Sequence, residues 1–258
     1  MKKVWTVILI ASAVLAWYEW PLLVRVEEGA QLASHPSPQL AYELGERHFD
    51  ARRPRMYDIE RALHLFSLAA SLDPTLPNAY HELARIDFLK GNFNSALAKI
   101  NFQISMHGDE MPNSYYIRGL IEGYMGDYAA SAKDYEHYLT FDSHNWAAIN
   151  DYAWVLLKDG RAEDAAVVTT EGLILFPDNP WLLNSQATAL YEMNANIAAF
   201  DAAKKASVAV AKVTEKQWLT SYPGNDPKIA AQGVASFKKA VADNMHTMQL
   251  AVASSTVQ

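Results

Sequence analysis

Four turn residues, Gly91, Gly126, Gly160 and Asn194, stand 35, 34 and 34 residues apart. Each divides a pair of amphipathic stretches in which apolar side chains recur every three or four positions, the spacing of a helix with one buried face. Leu76–Asp109 is the clearest copy. Tyr80, Leu83, Ala84 and Phe88 mark its first helix, Lys90-Gly91-Asn92 its turn, and Phe93, Ala96, Ile100 and Ile104 its second helix. Glycine suits such a turn because it reaches positive φ without strain, and asparagine is the usual substitute. A hairpin of this size has one apolar face too many to bury alone, so it must stack on further copies. The expected fold is all-α, a stack of helical hairpins.

Small residues recur where paired helices would cross. Leu83-Ala84, Arg118-Gly119, Tyr152-Ala153 and Gln186-Ala187 precede the turns, and Ala96, Ala132, Ala165 and Ala199 follow them. Small side chains let two helices approach closely. An earlier pair, Leu40–Pro74, carries Leu44-Gly45 on one helix and Ala62, Phe66 and Ala69 on the other. Its turn is five residues longer, through Arg52-Arg53-Pro54-Arg55. In the last pair, Asn194 and Asn196 replace the glycine and aromatic of the turn. No breaker lies between Asp201 and Trp218, so the second helix of this pair is expected to run long. Residues 219–226 read as a loop around Tyr222-Pro223-Gly224-Asn225. Asp226-Pro227 is a good helix start. Ile229, Gly233, Phe237, Ala240, Val241, Asn244, Met245 and Met248 then share one face. A repeat stack needs a last element with one wet face, so residues 227–252 are expected to cap it, with a partner-binding helix as the alternative. Residues 253–258 should fray.

These residues resemble the tetratricopeptide repeat (TPR). The match runs Leu83-Ala84…Gly91-x-Phe93-x-x-Ala96, then Gly119…Gly126-x-Tyr128, then Ala153…Gly160-x-Ala162-x-x-Ala165. The resemblance implies an α-solenoid of about five helix-turn-helix repeats over residues 38–218. It also implies a concave wall, built by the first helix of each pair, that holds an extended peptide or a partner helix. The wall-facing candidates are Tyr42, His81, Arg85, Phe88, Tyr116, Tyr124, Asn150, Trp154, Asn184 and Tyr191. Aromatic rings supply apolar contact at low entropic cost, and asparagine can pair with both N–H and C=O of a peptide backbone. The alternative for Phe88 and Tyr116 is the core. The family's carboxylate-binding subtype sets lysines beside asparagines on this wall. Here only Arg85 and Lys158 are available, which argues against capture of a C-terminal carboxylate.

Ahead of the repeats, Met1-Lys2-Lys3 precedes the apolar run Val4–Val24. As a helix this run spans about 31 Å, enough for a bilayer core. Glu19 is the objection. The ten Val, Ile and Leu residues of the run contribute about −3 to −6 kcal/mol, against about +3 for a central acid and less near an end. Insertion wins, with Pro21 kinking or ending the helix. Residues 1–26 are thus expected to be a cytoplasmic tip and transmembrane anchor. A cleaved signal peptide, with Ala11-Ser12-Ala13 as its processing site, is the competing reading. Two lysines before the run and one arginine after it place the N-terminus in the cytoplasm and the repeats outside, in a periplasm or at a cell surface. Residues 27–37, with Gly29, Pro36 and Ser37 leading into Pro38, are expected to be an extended linker.

Composition closes several other routes. The net charge of −7 argues against a nucleic-acid binder. Zero cysteines remove disulfides, thiol catalysis and thiolate metal sites. His137, Asp142 and His144 lack zinc-ligand spacing and read as a solvated turn. His81-Glu82 has no second histidine, and Gly119, Gly123 and Gly126 follow no strand that would make them a phosphate loop. Glu163-Asp164 complements a helix dipole. No catalytic residue, cofactor, metal or small-molecule substrate is expected. The expected partners are a protein or peptide in the groove and a lipid bilayer at Val4–Val24. The expectation is a membrane-anchored scaffold for assembly or maturation of an envelope, secretion or pilus complex. The alternative is an accessory subunit that contacts such a complex through its transmembrane and C-terminal helices.

Overall fold

The computed structural model describes residues 20–222 and 224–255. Most of the apolar run, residues 4–19, lies outside the described residues, as do Pro223 and residues 256–258. Among the described residues there are thirteen α-helices and no strand. A first helix covers residues 20–34 (α1). Five hairpins follow. They are α2 (Pro38–His48) with α3 (Ile59–Leu72), α4 (Ala79–Leu89) with α5 (Phe93–His107), α6 (Asn113–Met125) with α7 (Tyr128–Phe141), α8 (Trp146–Lys158) with α9 (Ala162–Leu175), and α10 (Pro180–Glu192) with α11 (Asn196–Ala211). A short α12 (Glu215–Ser221) and a long α13 (Ala230–Ser255) close the stack. Each hairpin packs on the next, and α4, α6, α8 and α10 also touch in succession, so first helices form one continuous wall.

The turn register has a single geometry. Gly91, Gly126, Gly160 and Asn194 all have positive φ, at 76°, 87°, 74° and 61°. The following N–H reaches back across the helix end in every case: Asn92 to the Asp87 carbonyl, Asp127 to Glu122, Arg161 to Leu156, and Ala195 to Leu190, at 2.8–3.0 Å. This is the Schellman closure, which satisfies carbonyls that a helix end leaves without partners. The crossing residues Ala84, Ala96, Ala153, Ala165, Ala187 and Ala199 are fully buried.

Two expectations are corrected. The stretch 27–37 is not an extended linker: helix α1 runs unbroken from residue 20 to residue 34, past Pro21 and Gly29. Only His35, Pro36 and Ser37 separate it from α2, and the Ser37 side chain caps α2 by accepting from the Leu40 N–H. The reason is burial. Glu28, 1% exposed, points into the first hairpin. Its carboxylate meets His48 Nε2 at 2.8 Å and Arg61 Nη2 at 3.2 Å, while His48 Nδ1 faces the Met56 carbonyl at 2.8 Å. Arg25 adds a 2.7 Å contact to Asp58. The second correction concerns the last pair. Its second helix stops at Ala211, and α12 starts anew at Glu215, capped by Thr214. Thr214 and Gln217 form a reciprocal capping box, which satisfies two N–H groups at the new start.

On α13 the buried positions are Ala230, Val234, Val241 and Met248, with Phe237 and Met245 half-buried, against α11 and α12. Ile229 and Ala240, expected on that face, are exposed.

Candidate functional site

The first helices enclose a cavity of about 890 Å³. Eight of the ten wall candidates line it: His81, Arg85, Phe88, Tyr116, Tyr124, Asn150, Trp154 and Asn184. Tyr42 and Tyr191 do not. Tyr42 packs on Phe66, with ring centroids 5.4 Å apart. Tyr191 lies with Ala187, Ala199 and Met248 beneath α13.

Glycines on α6 set the spacing of the wall. A Cβ on Gly123 would stand 2.9 Å from the Trp154 ring, and one on Gly119 would stand 3.2 Å from Tyr135. Their absence lets α8 and α7 close against α6. The rings of Tyr124 and Trp154 then meet at 5.5 Å, and those of Tyr124 and Phe88 at 5.0 Å. Tyr124 remains 58% exposed at the rim. We expect Gly123→Ala to destabilise the protein by about 1–3 kcal/mol, because the added methyl overpacks this crossing. An unchanged thermal midpoint would contradict that account.

The polar floor lies deeper. Asp151 accepts from the Tyr116 hydroxyl at 2.8 Å and from Asn150 Nδ2 at 3.3 Å. Asn150 in turn accepts from the Ser185 hydroxyl at 2.9 Å. Burial pushes the Asp151 carboxyl up to about 6, against the lowering by Tyr116 and Asn150. At the other end, Arg85 donates to Glu82 at 2.7 Å. Burial raises the Glu82 pKa and brings that of His81 down to about 3. Asn184 is already engaged, since its side-chain oxygen accepts from Asn244 of α13 at 3.0 Å.

The residues missed in the sequence are those that roof the cavity. Thr220, Ser221, Tyr222, Asn225 and Phe237 all face it. Trp181 stacks on Phe237 at 4.9 Å and donates through Nε1 to the Tyr222 hydroxyl at 2.8 Å. The loop then reaches the first hairpin. Tyr57, in the longer turn between α2 and α3, donates to the Gly224 carbonyl at 2.6 Å. A Cβ on Gly224 would lie 3.0 Å from Arg85 and 3.1 Å from Phe49. Gly224 also has φ of 101°, so only glycine fits both the backbone and the space. His137 and His144 each have a contact with an aspartate: His137 contacts Asp109 at 3.0 Å, and Asp142 accepts from the His144 N–H at 3.2 Å. Among the described residues no cluster of three or more His, Asp or Glu could hold a metal ion.

A wall of successive first helices, a shared turn register and a concave cavity define an α-solenoid of the tetratricopeptide type. Solved structures agree on the fold. A tetratricopeptide repeat protein from Parabacteroides merdae is 16% identical, with TM-score 0.57, and the match covers 86% of this chain and 90% of that one. A MamA protein is 15% identical, with TM-score 0.57, covering 72% of this chain and 94% of that one. YrrB, a TPR protein with an unusual peptide-binding site, is 12% identical, with TM-score 0.57, covering 80% and 97%. No protein-family model matches the chain, and neither does any curated protein sequence.

Proposed function

We propose that this protein is a membrane-anchored scaffold whose concave cavity holds an extended segment of a partner protein, in the assembly or maturation of an envelope, secretion or pilus complex. The observation that carries the scaffold reading is the cavity itself. It is large, aromatic at the rim and polar at the floor, the composition of a site that grips a chain by its rings and reads it with a few fixed polar groups. YrrB, of like fold, has a peptide-binding site.

The anchor rests on different support. Trp20, Leu22, Leu23 and Val26 are 56–65% exposed on α1 and continue directly from the apolar run that starts at Val4. Among the described residues no helix is long and apolar enough to cross a membrane; the proposed span is Val4–Val24, of which residues 4–19 lie outside the described residues. Lys2 and Lys3 favour a cytoplasmic N-terminus, with the repeats on the far side of the membrane. The alternative, an accessory subunit that contacts a complex through its transmembrane and C-terminal helices, has less to support it, because the apolar face of α13 already packs on α11 and α12.

A photo-crosslinking residue placed at Tyr124 of the full chain, in cells that are then fractionated, tests both parts. The expected result is a crosslinked partner in the membrane fraction, absent when the same group is placed at Val167 on the outer face, 57% exposed. Crosslinks from Val167 alone would overturn the groove, and a product confined to the soluble fraction would overturn the anchor.

A further inference from the structure

We infer that the cavity selects a basic side chain, lysine or arginine, from the segment it holds, and seats that side chain against the Asp151 carboxylate. The inference rests on the groove reading above and names what the groove recognises. Four acids are buried in the described residues, and each has a cation: Glu28 has Arg61, Glu82 has Arg85, Asp87 has Lys99, and Asp134 has Arg118. Asp151 lines the cavity, and its partners are a phenol and an amide. Among the described residues no Lys, Arg or His side chain forms an ion pair with it.

Asp151 is half-buried; a carboxylate partly withdrawn from water without a counter-ion is costly, and an arriving cation recovers part of that cost. Tyr116 and Asn150 leave lone pairs free on both carboxylate oxygens. Tyr135, whose buried hydroxyl has no hydrogen-bond partner, packs beside Tyr116 with ring centroids 5.7 Å apart. The rings nearby suit the rest of a basic side chain. Tyr116 and Tyr138 lie 5.4 Å apart, and Tyr124 and Trp154 lie 5.5 Å apart. An aliphatic stem packs along such surfaces, and a cation is attracted to their faces.

The test uses a synthetic library of short peptides, capped at both ends so that no terminal charge contributes. It is screened at neutral pH against the immobilised full chain, beside Asp151→Asn and Trp154→Ala, with thermal melts to show that each variant folds. The expected result is enrichment of lysine or arginine at one position. That preference should fall by about tenfold or more in Asp151→Asn, in line with the loss of a desolvated charge pair, while preferences at other positions persist. Peptides enriched without a basic position, or with a basic preference that Asp151→Asn leaves intact, would overturn the inference and leave the groove standing. No enrichment at all, or enrichment that Trp154→Ala leaves unchanged, would overturn the groove and the inference together.

Discussion

At pH 8 Asp151→Asn should melt at a higher temperature than the parent protein, and at pH 3 the two should melt together. The Asp151 pKa is raised from its ordinary value of 3.8 to about 6, burial being the largest cause. Below 3.8 the folded and unfolded chains both hold the proton, and the substitution changes little. As the pH climbs from there to about 6, the unfolded chain releases its proton first. The parent protein therefore loses stability across that window and regains none above it. The shift corresponds to about 3 kcal/mol at most, or about 2 kcal/mol once water reaching the carboxylate through the cavity is allowed for. For a chain of this size that is about 4–8 °C. Asparagine keeps an oxygen for Tyr116, so the local hydrogen bond survives. The groups that face Asp151 are Tyr116 and Tyr124 of α6, Tyr135 of α7, Asn150 of its own helix, and Tyr222 of the loop. None of them titrates between pH 3 and pH 8, so the window belongs to Asp151 itself. Equal midpoints at pH 8 would mean that the carboxylate is fully solvated and has no reason to seek a cation.

The second large effect lies at the other end of the stack. Glu28→Ala should cost about 3–5 kcal/mol, because it strands His48 and Arg61 in a site sealed by α1. His48 is 0% exposed and has no route to water without moving the helix. In a stack whose members touch mainly their neighbours, the damage should be local. Hydrogen exchange should show α1, α2 and α3 losing protection while α6 to α9 keep theirs. Undiminished protection in α2 and α3 would show that α1 is an ornament on the first hairpin and not part of its core. The cluster also gives the proposed anchor a mechanical sense. A helix that leaves a bilayer and is bolted to the first hairpin by Arg25–Asp58 and Glu28–His48 transmits orientation, which an extended linker would not.

The repeat register was legible because one constraint recurs. A turn that demands positive φ selects glycine or asparagine at every copy, and the period follows from counting. The wall was legible for the same reason. Once the register is known, His81, Tyr116, Asn150 and Asn184 fall at matching heights. Tyr42 and Tyr191 fall at wall positions too, but their hairpins end the array. Tyr42 turns to Phe66 of its own hairpin, and the cap helix α13 covers Tyr191. Helix α1 was misread because Gly29 and the two prolines look like breakers. Glycine costs a helix only about 1 kcal/mol, which burial of neighbours outweighs. The break at Thr214 had a signal, the spacing of threonine and glutamine in a capping box, but it is weak within a run rich in alanine. The contact between Tyr57 and Gly224 left no local trace, since its partners are 167 residues apart.

That contact changes what kind of object the solenoid is. An open array of repeats behaves like a spring: either end can unwind alone, and a ligand can be laid in from the side. Here the longer turn of the first hairpin holds the loop that follows the last one, so the coil is clasped into a bracelet. Loosening the first hairpin or the loop therefore costs one more hydrogen bond, about 1 kcal/mol, than it would in an open array. A guest chain that displaced the loop from the cavity would have to part Tyr57 from Gly224 as well.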